Sequence, residues 1–161
     1  MVLKKFTCSW LNPDLFLGYL RMPDSPVYHL FVYGSLRSGF RSPVYEYISG
    51  YFNFIGEAKV KGKLFDMGSY PGGVPSNDGT FIIGELYCIR DKAEFSWAIG
   101  QLDDYEGVNV ESDEVQLYRR ELTDVFIKNE IIPAWIYWFN GDVSGKPVIA
   151  SGDLMEYLGS K

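Results

Sequence analysis

The chain has 161 residues, of which 47% are hydrophobic and 22% are charged, a composition typical of one folded domain. Its formal net charge is -6, and no block of Lys and Arg provides the basic face that a nucleic-acid-binding protein needs. No apolar stretch is long enough to cross a bilayer. We therefore expect a protein that binds neither nucleic acid nor membrane.

Cysteine and histidine are too scarce for metal or thiol chemistry. Cys8 and Cys88 form neither a disulfide framework nor a metal-type pair, and His29 is the only histidine. We therefore predict a protein without a metal or other cofactor. Asn, Pro and Asp at positions 12–14 interrupt the first apolar stretch too early for a signal peptide, which favours a cytoplasmic location.

The first 27 residues are less regular than the rest and contain three prolines. We interpret residues 1–27 as an extension that packs on the domain or is partly mobile. Residues 28–161 contain no linker or repeat and are predicted to form a single domain. Nothing in the sequence specifies an oligomeric state.

The first half of this domain is predicted to consist of strands and one short helix. Residues 27–33 indicate a buried strand, and Ser42 followed by Pro43 is typical of a helix start. Residues 53–67 predict either a strand pair or one long bent strand. Residues 68–79, GSYPGGVPSNDG, predict a loop because Gly, Pro, Ser, Asn and Asp dominate them.

A strand over residues 80–89 is predicted to precede the longest helix. Asp91 followed by Glu94 is a capping-box pattern, and Gly107 is expected to end the helix. Helical spacing places five apolar residues on one face: Phe95, Ala98, Ile99, Leu102 and Tyr105.

Strands also dominate the last third of the chain. Two of them are predicted over 115–127 and 131–139, with Pro133 suggesting an edge or a bulge, and a short helix is expected after Asp153. The pattern indicates an α+β fold in which helices pack against a curled or barrel-like sheet.

Glu106 is the most informative candidate for chemistry. It follows Leu102 by four positions, so its side chain lies at the edge of the apolar face, in the last turn of the helix. Partial burial and the negative end of the helix dipole both raise a carboxyl pKa toward neutrality, which suits a general acid/base. The alternative is a carboxylate at a helix end that forms a salt bridge with Arg119 or Arg120.

The segment Gly34-Ser35-Leu36 is the second candidate. Glycine directly after a buried strand lets the backbone turn sharply and present successive N–H groups to an anion, such as a carboxylate or a developing oxyanion. The alternative is an ordinary turn.

Two further groups have weaker claims. Asp103 and Asp104 near Glu106 would suit a glycosidase, but neighbours along a helix do not face each other, which favours solvation or ion pairing. Tyr33 and Tyr70 are candidates for the wall of a pocket.

Several short motifs together resemble the gamma-glutamylcyclotransferase-like family, which includes the AIG2-like proteins. In order they are YGSLRSG at 33–39, YPG at 70–72, GELY at 84–87, LDDYEG at 102–107, LYRR at 117–120 and SGD at 151–153. The resemblance runs from about residue 29 to residue 153.

The resemblance implies a small mixed β-barrel with flanking helices and a pocket at the loop after the first strand. It implies that Glu106 is the general acid/base and that the loop of Tyr33, Gly34, Ser35 and Leu36 binds the glutamyl part of the substrate, with Tyr70 nearby. The implied reaction converts a gamma-glutamyl amino acid or gamma-glutamylamine to 5-oxoproline and a free amine, without a cofactor. The alternative is a non-catalytic module that binds a small ligand in the same pocket.

Overall fold

The computed structural model describes residues 25–161, which contain six β-strands and three α-helices. The strands are β1 (His29–Val32), β2 (Phe52–Asp66), β3 (Pro71–Pro75), β4 (Phe81–Ile89), β5 (Tyr118–Ile127) and β6 (Glu130–Phe139). The helices are α1 (Pro43–Tyr51), α2 (Phe95–Tyr105) and α3 (Leu154–Gly159). Nearly all of the predicted extension, and Cys8 with it, lies outside the described residues, so the division at residue 27 stays a prediction.

Five of the strands close into a barrel. The sheet order is β3-β2-β4-β1-β6-β5, and β5 returns to pair with β2 at Lys59–Phe126 and Val60–Val125. The pair β1–β6 is parallel and the other pairs are antiparallel, so the barrel is mixed, with β3 as an additional strand beside β2. The prediction of a small mixed barrel with flanking helices is confirmed.

Apolar side chains fill the barrel and cover its outside beneath α1 and α2. Inside, Val60, Val125 and Trp138 belong to one cluster with almost no solvent exposure. Outside, Ile48 of α1 and Leu102 of α2 belong to a second cluster. Burial of one large apolar side chain contributes about 1.5–3 kcal/mol, so the outer layer holds both helices on the barrel.

The helix starts form where their capping residues predict them. The Ser42 hydroxyl accepts the N–H of Tyr45, and the Asp153 carboxylate accepts the N–H of Met155. The Asp91 carboxylate accepts the N–H of Ala93, but the first turn after it is a 3₁₀ turn that continues into α2. None of the helices within residues 25–161 is long and apolar enough to span a membrane.

The region 53–67 forms one long strand, not a strand pair. β2 changes register against β4 between Phe54 and Gly56, and this irregularity is the bend that the glycine predicts. Pro133 lies in continuous register with Asp124 of β5, while β6 pairs with β1 further along, at Trp135.

The prediction that residues 68–79 form only a loop is wrong, because β3 lies within them. β3 pairs with β2 alone among the described strands, so its prolines at 71 and 75 break no second ladder. Gly73 is needed for packing, since a Cβ there would lie 2.7 Å from Cζ of Tyr33. Gly73, which favours a loop in the sequence, here allows β3 to approach the Tyr33 ring on the pocket wall.

Two further predictions need correction. Tyr105, expected on the buried face of α2, is 54% exposed, whereas Asp103 is buried. The strand predicted from residue 115 begins only at Tyr118, and Val115 is exposed. At the end of α2, the ion pair of Asp103 with Arg120 replaces the apolar packing that the spacing indicates.

Candidate active site

A cavity of about 280 Å³ opens at the end of the barrel where β1 finishes. Its lining comes from the end of β1 and the following turn, the start of β3, the end of α2 and the strands β5 and β6. The lining residues are Phe31, Val32, Tyr33, Gly34, Ser35, Leu36, Tyr70, Pro71, Tyr105, Glu106, Leu117, Tyr118 and Tyr137. The structure therefore brings together all six residues that the sequence singles out: Tyr33, Gly34, Ser35, Leu36, Tyr70 and Glu106.

The segment after β1 is a tight turn on the pocket wall. The N–H of Arg37 donates to the carbonyl of Gly34 at 3.0 Å, which closes the turn. No described residue accepts the N–H of Ser35 or of Leu36. Two successive unpaired donors beside a cavity are suited to hold an anionic group.

The end of α2 fixes the backbone of Glu106. Gly107 has a left-handed φ of 66°, and its N–H donates to the carbonyl of Asp104. The N–H of Val108 donates to the carbonyl of Asp103 at 2.9 Å. These two bonds form a Schellman motif, so Glu106 is the residue at which the helix ends, held in one conformation.

The Glu106 carboxylate is half-buried without a hydrogen bond or salt bridge to any described residue. Its burial raises its pKa from the ordinary value of 4.5 to about 7. The alternative salt bridge to Arg119 or Arg120 does not form, because Arg119 pairs with Glu121 at 2.6 Å and Arg120 pairs with Asp103 at 2.8 Å.

The carboxylates of Asp103 and Asp104 do not face each other. Asp103 is buried, pairs with Arg120 and accepts a hydrogen bond from the Tyr137 hydroxyl at 2.8 Å. Asp104 is exposed and accepts from the side-chain amide of Asn109. The arrangement therefore offers no carboxylate pair of the kind that a glycosidase uses.

Hydrogen bonds hold the tyrosine rings that wall the pocket. The Tyr33 hydroxyl donates to the carbonyl of Tyr137 at 2.7 Å, and the Tyr118 hydroxyl donates to the carbonyl of Pro71 at 2.8 Å. Burial, together with the charge of Glu106, raises the pKa of both phenols. Both rings therefore stay neutral, and the wall adds no charge beside Glu106.

Glu85 is a buried residue of this region that the sequence analysis did not single out. Its carboxylate accepts the N–H of Ser38 at 2.9 Å, the Ser38 hydroxyl at 2.7 Å and the Tyr87 hydroxyl at 2.6 Å. The neighbouring Arg37 donates to Asp153 at 2.8 Å. A lone carboxylate within the apolar strand over 80–89 is the signal that would have revealed this anchor, since a buried charge needs partners.

Within residues 25–161, no group of three or more His, Cys, Asp or Glu side chains is placed to hold a metal ion. The carboxyl group that lines the cavity belongs to Glu106, and its pKa is raised. The arrangement can therefore accept and return one proton next to two backbone donors.

Comparisons with known proteins find sequences similar to most of this chain. The family model described as "Gamma-glutamyl cyclotransferase, AIG2-like" matches residues 30–156. A Vibrio cholerae protein named "Putative gamma-glutamylcyclotransferase" is 32% identical over 127 residues, which cover 77% of this chain and 92% of that protein.

Solved structures share the fold. YkqA from Bacillus subtilis superposes with a TM-score of 0.60 at 28% identity, covering 83% of this chain but 43% of YkqA, so this chain spans less than half of that protein. An AIG2-like protein from Mus musculus superposes with a TM-score of 0.56 at 21% identity, covering 74% of this chain and 84% of the mouse protein. The mouse structure supports the fold alone.

Proposed function

This chain belongs to the gamma-glutamyl cyclotransferase, AIG2-like family, and we propose that it converts a small gamma-glutamyl compound to 5-oxoproline and a free amine. The substrate would be a gamma-glutamyl amino acid or a gamma-glutamylamine. The observation that supports this function best is the partnerless Glu106 carboxylate, with a pKa of about 7, on the same cavity as the turn after β1.

The proposed reaction is an intramolecular displacement. The α-amine of the glutamyl group attacks its own γ-carbonyl carbon, and a new C–N bond closes a five-membered ring. The oxyanion that forms then collapses, and the bond to the departing amine breaks. Because nucleophile and carbonyl belong to one molecule, a pocket that holds the substrate curled supplies much of the acceleration.

Glu106 would perform both proton transfers. Its carboxylate accepts a proton from the α-ammonium, which frees the attacking lone pair, and returns that proton to the departing amine. A carboxyl group with a pKa of about 7 can both accept and release a proton near neutral pH.

The turn after β1 would bind the negative part of the substrate. The free N–H groups of Ser35 and Leu36 can donate to the α-carboxylate or to the developing oxyanion. Tyr33 and Tyr70 would wall the space around the glutamyl group. These steps use no metal, so we expect turnover to persist in the presence of a chelator.

The function is tested by incubating the protein with a panel of gamma-glutamyl compounds and measuring 5-oxoproline. The panel contains gamma-glutamyl amino acids, glutathione and gamma-glutamylamines. The α-glutamyl isomers serve as controls, because ring closure at their free γ-carboxyl group would not release the amine or free 5-oxoproline. Release from at least one gamma-glutamyl compound and from no α-isomer is expected. Calorimetric binding of a panel member without any product would instead favour a non-catalytic binding module.

A further inference from the structure

We propose that Asp103 and Arg120 form a neutral ion pair that positions Glu106 and shields it from net charge. The proposal rests on the proposed role of Glu106 as the acid/base, but its test reads the ionisation of Glu106 directly. It concerns two residues outside the pocket lining, one on α2 and one on β5.

Asp103 holds the end of α2 in two ways. Its backbone carbonyl accepts the N–H of Val108 at 2.9 Å, in the turn that ends the helix. The side chain makes two bonds to Arg120, Nε to Oδ1 at 2.8 Å and Nη2 to Oδ2 at 3.2 Å. These two bonds fix the orientation of Asp103 on Arg120 as well as the distance between them. Because Glu106 follows in the same helix end, its position above the barrel is fixed too.

The barrel in turn holds both members of the pair. The Arg120 guanidinium lies over the ring of Trp135, with 4.5 Å from Cζ to the ring centroid. The Tyr137 hydroxyl donates to Asp103, while its ring lines the pocket. Strands β5 and β6 thus clamp the last turn of α2 from below.

Several charged and titratable groups surround Glu106, so the net charge of the Asp103–Arg120 pair affects the ionisation of Glu106. The charged and titratable groups around it are Tyr33 from the end of β1, Tyr70 before β3, Tyr118, Arg119 and Arg120 from β5, Tyr137 from β6, and Asp103, Asp104 and Tyr105 from its own helix. Burial raises the pKa of the Tyr137 hydroxyl most, and the charges of Asp103, Arg120 and Glu106 also act on this pKa. The three charged groups therefore lie close to one hydroxyl. Burial raises the pKa of Glu106, and two opposite charges held together by two hydrogen bonds present little net charge to a neighbouring carboxyl group.

Breaking the pair from its two sides should therefore move the ionisation of Glu106 in opposite directions. Asp103→Asn leaves the Arg120 charge uncompensated, and a nearby positive charge lowers a carboxyl pKa. Arg120→Gln leaves the Asp103 charge uncompensated, and a nearby negative charge raises it. We expect displacements on the order of half a pH unit or more, with the double variant returning close to the parent.

The experiment is an NMR titration of the Glu106 side-chain carboxyl carbon in the parent, the two single variants and the double variant. Arg119→Gln and Glu121→Gln serve as matched controls, because that pair lies on the same strand but is more exposed, so water screens its charges and these variants should displace the titration less than Asp103→Asn and Arg120→Gln. Displacement of both single variants in the same direction, or of neither, would overturn the proposal.

A variant that only retains charge separates positioning from electrostatics. Arg120→Lys keeps the positive charge but cannot make the two-bond contact, so the Glu106 titration should stay at the parental pH while kcat falls more than KM rises. It also answers the question if Arg120→Gln fails to fold, since a displaced titration in folded Arg120→Lys would refute the charge argument. A parent that titrates as expected but releases no 5-oxoproline would refute the proposed function alone.

Discussion

Glu106 combines burial with the lack of a partner. A carboxylate in this state is destabilised by loss of hydration and is compensated by nothing nearby, so it holds its proton to about pH 7. Within residues 25–161, the buried carboxylates of Glu85 and Asp103 are in the opposite situation, because each accepts hydrogen bonds from several donors. The contrast separates a carboxyl group without a partner from carboxylates that hydrogen bonds hold in place.

Replacement of Glu106 by Gln should remove turnover while preserving the fold. The amide has nearly the same size but cannot accept the ammonium proton, so the rate of 5-oxoproline release should fall by about 10²–10⁴-fold. Asp104→Asn is the matched control, because it makes the same chemical change on an exposed residue two positions earlier. Near-parental rates in Glu106→Gln, or a variant that is inactive because it unfolds, would contradict the assignment.

The stability of the protein should depend on the ionisation of Glu106. Its pKa is higher in the folded state than in the unfolded state, so between about pH 4.5 and 7 the folded protein binds the additional proton. The stability that this contributes is fully present below pH 4.5 and is lost as the pH rises through about 7.

Urea unfolding of the parent and of Glu106→Gln from pH 4 to 8 measures this contribution. The difference between their free energies of unfolding should move by about 1–3 kcal/mol in favour of the variant as the pH rises, less than the full pKa shift implies because the pocket is open to water. Taking the difference cancels the pH dependence that other groups contribute to both proteins. Asp66 is one such group, because hydrogen bonds from Lys161, Gly68 and Tyr157 lower its pKa to about 2. A difference that does not change with pH would contradict the raised pKa.

At the residue scale the sequence predicts what depends on near neighbours. Helix spacing from Leu102 and the stop at Gly107 suffice to place Glu106 at the edge of a buried face. Glu85 was not singled out, and for Asp103 ion pairing was expected without a named partner. The partners are Ser38, Arg120 and Tyr137, which no local pattern connects to these carboxylates.

At the scale of elements, the turn after β1 depends on β4 beneath it. Glu85 of β4 receives both the N–H and the hydroxyl of Ser38, and so ties the end of the turn to the barrel wall. The adjacent Arg37 is buried as well and lies 3.9 Å from the same carboxylate. A strand residue therefore sets the shape of a loop that is proposed to bind substrate.

Glu85→Gln should loosen this turn. The variant amide cannot accept from all three donors and no longer offsets the buried charge of Arg37, so the free energy of unfolding should fall by about 2–4 kcal/mol. Because the turn is proposed to bind substrate, KM should rise more than kcat falls.

The matched control is Glu121→Gln, where a glutamate contacts an arginine at 2.6 Å on the exposed surface. Its cost should stay below about 1 kcal/mol. Equal costs for the two variants, measured by urea unfolding, would mean that the buried network does not anchor the turn.

Element types were predictable where capping and periodicity agree, and not where packing overrides composition. Ser42 before Pro43 and Asp91 near Glu94 mark helix starts in the sequence and in the structure. β3 escaped prediction because Gly73 is selected by the ring of Tyr33, forty residues earlier, and not by local turn chemistry.

At the scale of the whole molecule, stability depends on barrel closure. The strands β2 and β5 meet at two residue pairs, Lys59–Phe126 and Val60–Val125, and both valines are fully buried. Alternating strand patterns predict a curled sheet, but the pairing of β5 with β2 and the parallel pairing of β1 with β6 join segments far apart in the chain. The family resemblance implies a mixed barrel, but it does not specify these pairings.

Val125→Ala should weaken the whole barrel in one step. Loss of two buried methyl groups and the resulting cavity should lower the free energy of unfolding by about 2 kcal/mol, with fluorescence and circular dichroism reporting one common transition. Val115→Ala is the same change at a residue that is 83% exposed, and it should cost less than about 0.5 kcal/mol. A first transition that leaves part of the signal native would show that closure is not cooperative.

The parallel pairing of β1 with β6 also affects how the chain folds during its synthesis. Tyr33 and Tyr137 wall the same pocket, so the ribosome must have made nearly all of the domain before a pocket can exist. Until β6 arrives, β1 has a partner on one side only, and a nascent strand with an open edge can pair with another chain. Translation that halts before residue 137 would therefore yield a chain with an incomplete pocket and an open strand edge, which favours aggregation.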